Sequence, residues 1–234
     1  MKKLLLAILS LFILASCENK PETNIQITGN VKGLQKGTLY LKKMGDSTFI
    51  TLDSIKIDGK SEFESNIDLK SPEMLYLFLD RGETKSGDNN LMFFAETGKI
   101  NIATELEYFY SKAVITGSKN NELYENYKKI TSKYNEQQLE LTVAKINALK
   151  NKQMDLIASI EEKSNVIMKR KYLYAINFAV TNKDYEVAPY IALSEINDAT
   201  VKYLDTIQKS MSPKVAKSRY GLMLTKYVGE IKKQ

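Results

Sequence analysis

The 234-residue sequence contains no histidine and no tryptophan, and its single cysteine is Cys17. Without histidine, neither a Ser-His-Asp triad nor a Cys-His pair can form, because both need an imidazole base. One cysteine cannot form a disulfide within the chain or a Cys-x-x-Cys redox centre. A zinc site built on His or Cys is excluded for the same reason. These absences predict a protein that is not an enzyme and carries no cofactor or metal.

The chemistry that remains would use acidic residues, Lys, Ser or Tyr with a shifted pKa. Some enzymes use a serine nucleophile without histidine, in a Ser-x-x-Lys motif. No Ser-x-x-Lys occurs in this sequence, so that kind of site is excluded as well. A hydrolase using paired carboxylates is the weakest of the hypotheses that stay open. It would need two acidic residues of raised pKa facing one cleft.

The cysteine lies at the end of a short apolar segment. Lys2 and Lys3 are followed by an apolar run from Leu4 to Leu14, interrupted only by Ser10. A basic start, roughly 7–15 apolar residues and small residues at the end are typical of an export signal, and the run is too short to span a bilayer. An ordinary secretory signal with a chance cysteine is the alternative to a lipoprotein signal.

Leu14-Ala15-Ser16-Cys17 resembles the lipobox of bacterial lipoproteins, in which the chain is cut before the cysteine and acyl chains such as palmitate are attached to it. The resemblance implies a signal peptide over residues 1–16, lipidation of Cys17 and a polar tether over residues 17–23. It also implies export to the cell envelope, with the lipid held in the outer membrane or in a membrane that faces the periplasm.

Residues 24–117 have the pattern of an antiparallel β domain. Short segments of alternating apolar and polar residues are separated every 8–12 residues by turns. Two of these turns, Asp58-Gly59 and Thr97-Gly98, are predicted to form hairpins. Gly29 interrupts the first segment and predicts a bulge or a close approach of two backbones. A change of phase near Asp53-Ser54 predicts a bulge in the third. The fold predicted here is a β-sandwich.

Residues 118–234 have the pattern of a helical domain, so the fold class of the chain is α+β. Neither Gly nor Pro occurs from Ser118 to Ala188, which permits two helices of about 30 residues. The polar stretch from Asn147 to Lys152 predicts the bend of a long helical hairpin. Three shorter helices follow, and Ser212-Pro213 is typical of a helix start. One seam of the first helix is predicted to be buried and, apart from the polar Gln137, holds Leu123, Tyr127, Ile130, Tyr134, Leu141, Ala144 and Ala148. The second helix is predicted to have an apolar stripe made of Met154, Ile157, Ile160, Ile167, Met168, Tyr172, Ala175, Ile176 and Ala179.

The two halves differ in charge. Residues 18–116 carry 12 basic and 15 acidic side chains, whereas residues 117–234 carry 20 and 13. A basic half could face anionic headgroups or acidic glycans, although solvated lysine-rich helices are the simpler explanation. Nucleic acid is not an expected partner of an exported protein.

Several further groups of residues are candidate binding sites. Gly82 to Gly87 has the glycine spacing of a phosphate loop but lacks the Lys-Ser or Lys-Thr that follows, and so predicts a loop. Asp80, Glu83 and Asp88 lack the spacing of an EF-hand. Two charged clusters on the second long helix either contact a partner or form solvated helix faces. One aromatic cluster either contacts a partner or packs on the sheet edge or the helices. The three clusters are Glu161-Glu162, Lys169-Arg170-Lys171 and Tyr108-Phe109-Tyr110.

Five stretches resemble one lipoprotein family, chiefly of Bacteroidetes-type bacteria. They are Ile27 to Gly33, Gly37 to Leu41, Leu52 to Ser54 with Gly59 and Phe63, Met92 to Ile102, and Ile115 to Ser118 with Asn121-Glu122. The helical part down to Ser218-Arg-Tyr-Gly-Leu222 also resembles that family. In that family an N-terminal β domain of unknown function and helices usually precede a disulfide reductase domain of the thioredoxin/AhpC-TSA type. The reductase and its Cys-x-x-Cys would follow Gln234, so the resemblance does not carry redox activity onto these residues.

Together these observations predict a lipid-anchored protein of the cell envelope that acts as a non-catalytic binding or scaffold module. The membrane is contacted through the lipid on Cys17, and a partner or small ligand is recognised on the sheet or on the helix pair. The alternative is an accessory partner of a periplasmic thiol-disulfide oxidoreductase, without a redox centre of its own.

Overall fold

The structure is a computed structural model and describes residues 23–80, 82 and 89–233. Cys17, the predicted signal peptide and most of the predicted tether lie outside the described residues. The described part begins just before the first strand and runs through eight strands and six helices.

The eight strands form two four-stranded sheets, ordered β4-β1-β7-β8 and β3-β2-β5-β6. Apolar side chains on the facing sides of the two sheets form one continuous core. The strands are β1 (Ile25–Lys32), β2 (Lys36–Met44), β3 (Phe49–Asp58), β4 (Glu62–Ile67), β5 (Glu73–Asp80), β6 (Asn90–Ala95), β7 (Gly98–Glu105) and β8 (Val114–Thr116). The predicted sandwich is therefore confirmed.

One strand pair departs from the antiparallel rule. β1 and β7 run parallel, with Ile27 beside Ile100 and Gly29 beside Ile102, whereas the other strand pairs are antiparallel. Period-two alternation gives the same side-chain pattern for either direction, so the sequence did not distinguish them. The parallel pair joins the first strand to a late one and thereby closes the sandwich.

Gly29 marks a close approach and not a bulge. The register of β1 continues through Gly29 against both neighbours. A Cβ atom at this position would lie 2.3 Å from the carbonyl oxygen of Ile102 and 2.5 Å from the ring of Phe63. The predicted bulge in β3 is present, because the pairing of β2 with β3 shifts register between Leu41 and Lys42 and skips Leu52.

The helical part confirms the predicted hairpin. The first long helix ends at Lys150 and the second begins at Met154, so the bend overlaps the end of the predicted stretch. The helices are α1 (Lys119–Lys150), α2 (Met154–Thr181), α3 (Val187–Glu195), α4 (Val201–Ser210), α5 (Pro213–Ala216) and α6 (Arg219–Ile231). The Ser212 hydroxyl accepts from the Val215 N–H and caps α5. Among the helices described, none combines the length and apolarity that crossing a bilayer requires.

The predicted seam of the hairpin is only partly buried. Tyr127 and Ala148 are buried, but Ile130 is exposed. Met154 and Met168, which lie on the apolar stripe of the second helix, are 70% and 48% exposed. The prediction that these residues are buried was wrong because the hairpin packs on the rest of the protein only at its base.

A cluster of aromatic rings joins the helices to the outer face of the second sheet. Phe94 of β6 meets the rings of Tyr124, Tyr190 and Tyr220 edge to face, with ring centroids 5.1–6.0 Å apart. Burial raises the pKa of Tyr124 and Tyr220 above the ordinary tyrosine value, and raises the pKa of Tyr190 to about 12. The cluster therefore favours the neutral phenol of all three tyrosines.

Two buried hydroxyls near this cluster give a matched test. The Tyr127 hydroxyl has no hydrogen-bond partner among the described residues, whereas the Tyr220 hydroxyl accepts from the Met74 N–H at 3.0 Å. We expect Tyr127→Phe to raise the free energy of unfolding by about 1 kcal/mol, because it removes an unsatisfied polar group. We expect Tyr220→Phe to lower it by about 2 kcal/mol, because the buried Met74 N–H loses its acceptor. Urea unfolding measures both, and equal effects of the two variants would contradict this interpretation.

Candidate binding surfaces

The distal part of the helical hairpin extends away from the rest of the protein. Between residues 132 and 173 only Ala148 and Ile160 are buried, and the other buried residues of α1 and α2 lie nearer the base. We call residues 132–173 the arm. Its 19 residues of α1 correspond to roughly 28 Å at 1.5 Å per residue. The arm is therefore accessible to a partner along most of its length.

Polar contacts between the two helices hold the middle of the arm together. The Gln138 amide donates to the Ser164 carbonyl oxygen at 2.8 Å, and the Ser164 hydroxyl donates back to the Gln138 amide oxygen at 2.7 Å. Lys145 and Glu161 form an ion pair at 2.7 Å on the same side. These reciprocal contacts fix the register of the helices, so the arm presents a defined surface.

Large apolar side chains cover the outer faces of the arm. Nine of them are at least 42% exposed: Leu139, Val143, Ile146, Leu149, Met154, Leu156, Val166, Met168 and Leu173. On α1, Leu139, Val143 and Ile146 follow steps of four and three, which places them along one face of the helix. Single exposed apolar residues are ordinary on a protein surface, but a row along one helix face, such as the one on α1, is typical of an interaction surface. This exposed row on α1 was not predicted from the sequence, although the spacing of its residues could have indicated it.

The charges on the arm are mostly basic. Eight basic and five acidic side chains lie between residues 132 and 173, an excess of three positive charges. Of the predicted charged clusters, Glu161 pairs with Lys145 and Lys171 lies 3.6 Å from Glu195. Arg170 lines a shallow groove of about 480 Å³ together with Leu141 and Val166. The basic cluster thus borders apolar surface.

A buried ion pair connects the last helix to the second sheet. Arg219 at the start of α6 donates to a Glu73 carboxylate oxygen at 2.6 Å and to the Met44 carbonyl oxygen at 2.6 Å. Lys43 lies 3.7 Å from the same Glu73 oxygen, and the Glu73 side chain is only 5% exposed. The Arg219 N–H also donates to the Ser71 hydroxyl at 3.3 Å. These contacts hold the helical part on the sandwich.

Among the residues that the structure describes, the other candidate groups do not come together as a site. Phe109 is fully buried in the sandwich core, whereas Tyr108 and Tyr110 are each 47% exposed, with Lys112 and Lys128 above their rings. Asp80 accepts from the Gly82 N–H at 2.9 Å. Glu83 and Asp88 lie outside the described residues. Within the described ranges, no group of three or more acidic, His or Cys residues is arranged to hold a metal ion.

The geometry thus defines a class of protein: a two-sheet β sandwich with a helical part and a protruding arm. Residues 25–124 match the sequence model of a family described as a domain of unknown function (DUF4369). The match spans the sandwich and the first turns of α1. It confirms the N-terminal domain of unknown function that the sequence resemblance implied.

No curated protein matches the chain. A transthyretin from Sparus aurata is similar to 41% of this chain over the whole of its own length, with 14% sequence identity and a TM-score of 0.29.

Proposed function

We propose that the chain is a non-catalytic scaffold of the cell envelope that is anchored by lipid on Cys17 and binds a protein partner through the arm. The observation that carries this proposal is the set of nine large apolar side chains exposed on the arm. Exposing them to water has no benefit for folding, so their presence indicates that another surface covers them.

The charges on the arm specify the chemistry of that partner. An apolar face bordered by an excess of three positive charges suits an apolar surface with an acidic rim. A second copy of the chain would bring two basic arms together, and like charges facing each other oppose association. The partner is therefore a different protein with an acidic surface around an apolar centre.

The arm is tested by removing its apolar stripe. A photo-crosslinking amino acid in place of Val143 in intact cells captures the partner, which is then purified. The variant Leu139→Ser/Val143→Ser/Ile146→Ser is expected to bind that purified protein at least about tenfold more weakly, because central apolar contacts carry most interface energy. Calorimetry measures the affinity, which is also expected to fall as salt is added.

The matched control is Leu222→Ser/Met223→Ser, which removes two exposed apolar side chains from α6 outside the arm. It is expected to bind the partner normally, and circular dichroism is expected to show a native fold for both variants. Equal binding by the arm variant and the wild type would contradict the proposal. If the captured protein is a thioredoxin-like oxidoreductase, the chain is an accessory to thiol-disulfide exchange.

The anchor is tested separately. Metabolic labelling with a palmitate analogue is expected to mark the wild-type chain, and Cys17→Ser is expected to lose the label and leave the membrane fraction. An unlabelled wild-type chain would contradict the anchoring part of the proposal. It would not affect the binding role of the arm, which the partner-binding measurements test.

A further inference from the structure

A cleft of about 560 Å³ lies where the helices meet the edge of the sandwich. We call it the junction cleft. Its walls include Lys70, Lys214, Lys217, Tyr185 and Glu186, and it lies at the base of the helical part. No residue of the arm lines it. Its volume falls in the range of small-molecule sites, which is about 300–1,000 Å³.

One carboxylate oxygen in the junction cleft lacks a hydrogen bond. Glu186 is 1% exposed, and its Oε2 accepts from the Asn120 side-chain amide at 3.1 Å. Its Oε1 accepts no hydrogen bond from any described residue. The nearest cation is the Lys214 Nζ at 3.8 Å, which is beyond hydrogen-bond distance. A buried acceptor of this kind is costly unless a donor in the cleft satisfies it.

The orientation of Glu186 is fixed by its neighbours. Asn120 is 1% exposed, and its side-chain oxygen accepts from the Val187 N–H at 2.8 Å. Its amide nitrogen also donates to Glu96 at 2.6 Å, while Glu96 caps the start of α1 by accepting from the Lys119 N–H. The free Oε1 therefore cannot rotate to find a partner without breaking this network, and it stays directed toward Lys214 in the cleft wall.

The lysines around this oxygen favour an anion. Lys70 and Lys217 form no ion pair within the described residues, and Lys214 has only the long contact with Glu186. The second carboxylate in the cleft wall, Glu96, is occupied in capping α1. The cleft wall thus combines Lys70 and Lys217, which have no ion pair within the described residues, with Lys214 in its long contact and with one carboxylate oxygen that needs a donor. The fourth lysine of the wall, Lys119, is paired with Glu122.

We propose that the junction cleft binds an acidic sugar, meaning a carbohydrate that carries a carboxylate or a phosphate. A sugar hydroxyl donates to the Glu186 Oε1, and the anionic group contacts Lys70, Lys214 and Lys217. A hydroxyl is a neutral donor, so it satisfies Oε1 without displacing Lys214. The half-buried Tyr185 ring offers a surface for the apolar face of the sugar ring. The proposal goes beyond scaffolding and does not depend on the arm.

Calorimetric titration with four probes tests this inference. Glucuronate and glucose 6-phosphate carry both features of the ligand, glucose lacks the anion, and inorganic phosphate lacks the sugar. Glucuronate or glucose 6-phosphate is expected to bind saturably and at least about tenfold more tightly than glucose or inorganic phosphate. The two acidic probes distinguish a carboxylate from a phosphate as the preferred group.

Variants then separate the role of Glu186 from that of the lysines. Glu186→Gln is expected to weaken the preferred acidic sugar about tenfold, because Oε1 no longer accepts as a carboxylate. The same variant is expected to strengthen inorganic phosphate, because a negative charge is removed from the cleft. Lys214→Met/Lys217→Met is expected to weaken every anionic probe. Lys226→Met, an exposed lysine of α6 outside the cleft, is the control and is expected to change nothing.

Three outcomes would overturn the proposal. They are no saturable binding of either acidic sugar at millimolar concentration, equal affinity for the acidic sugar and inorganic phosphate, or tighter binding of the acidic sugar by Glu186→Gln. Circular dichroism of each variant confirms that it is folded, so a loss of binding cannot be assigned to unfolding. Loss of partner binding by the arm variants leaves these titrations unaffected.

Discussion

Replacing Arg219 with methionine is expected to lower the free energy of unfolding by about 3 kcal/mol. The substitution keeps much of the apolar stem but removes the guanidinium that donates to Glu73 at 2.6 Å and to the Met44 carbonyl oxygen. Glu73 then stays buried, with Lys43 at 3.7 Å as the remaining cation. Leaving a buried charge without its main partner typically costs about 3–5 kcal/mol. The lower end applies here because Lys43 remains and the Arg219 side chain is 26% exposed.

A double-mutant cycle distinguishes the ion pair from packing. Glu73→Met is the second single variant and is expected to cost less than Arg219→Met, because the Arg219 side chain that it leaves unpaired is 26% exposed. The double variant Arg219→Met/Glu73→Met removes both charges and is expected to recover most of the lost stability, because apolar replacements of a buried pair are often close to neutral. Urea unfolding gives the four free energies. Additive effects of the two single changes would show that the charges do not interact.

The sandwich could be predicted from its turns and glycines, but not its strand order. Asp58-Gly59 and Thr97-Gly98 lie between consecutive strands, but each connection passes from one sheet to the other, so the two hairpins predicted there are wrong. The parallel pairing of β1 with β7 joins residues more than 70 positions apart, as Ile27 and Ile100 do. No local signal records such a pairing, because it depends on how the two sheets close on each other.

Of the two candidate surfaces, the arm could be predicted in part from the sequence and the junction cleft could not. The arm was visible as a hairpin, and the spacing of Leu139, Val143 and Ile146 could have indicated its exposed stripe. The sequence could not show which stripe faces solvent, because that depends on where the base packs. The junction cleft was not predictable at all. Asn120 and Glu186 come from the starts of two helices 66 residues apart, and neither belongs to a motif.

Raising the pH above 10 is expected to unfold the protein steeply. Burial raises the pKa of Tyr124, Tyr127 and Tyr220, and raises that of Tyr190 to about 12, whereas an unfolded tyrosine ionises near 10. The native state thus holds protons that the unfolded state releases. The stability from these neutral phenols is fully present below pH 10 and is lost as the pH rises toward the folded values. Each such tyrosine contributes a slope of up to about 1.4 kcal/mol per pH unit.

Circular dichroism and tyrosinate absorbance, recorded on the same samples, check this expectation. The four buried tyrosines are expected to ionise only as the helical signal is lost, and the exposed Tyr108, Tyr110 and Tyr203 provide the internal reference. Four slopes together reach roughly 5 kcal/mol per pH unit, which is enough to remove the stability of an ordinary domain within two units. Tyr190→Phe is expected to reduce the slope by about a quarter. Ionisation of all 14 tyrosines in a chain that stays folded would mean that the aromatic cluster between sheet and helices is open to water, and that the helical part is not held on the sandwich by these rings.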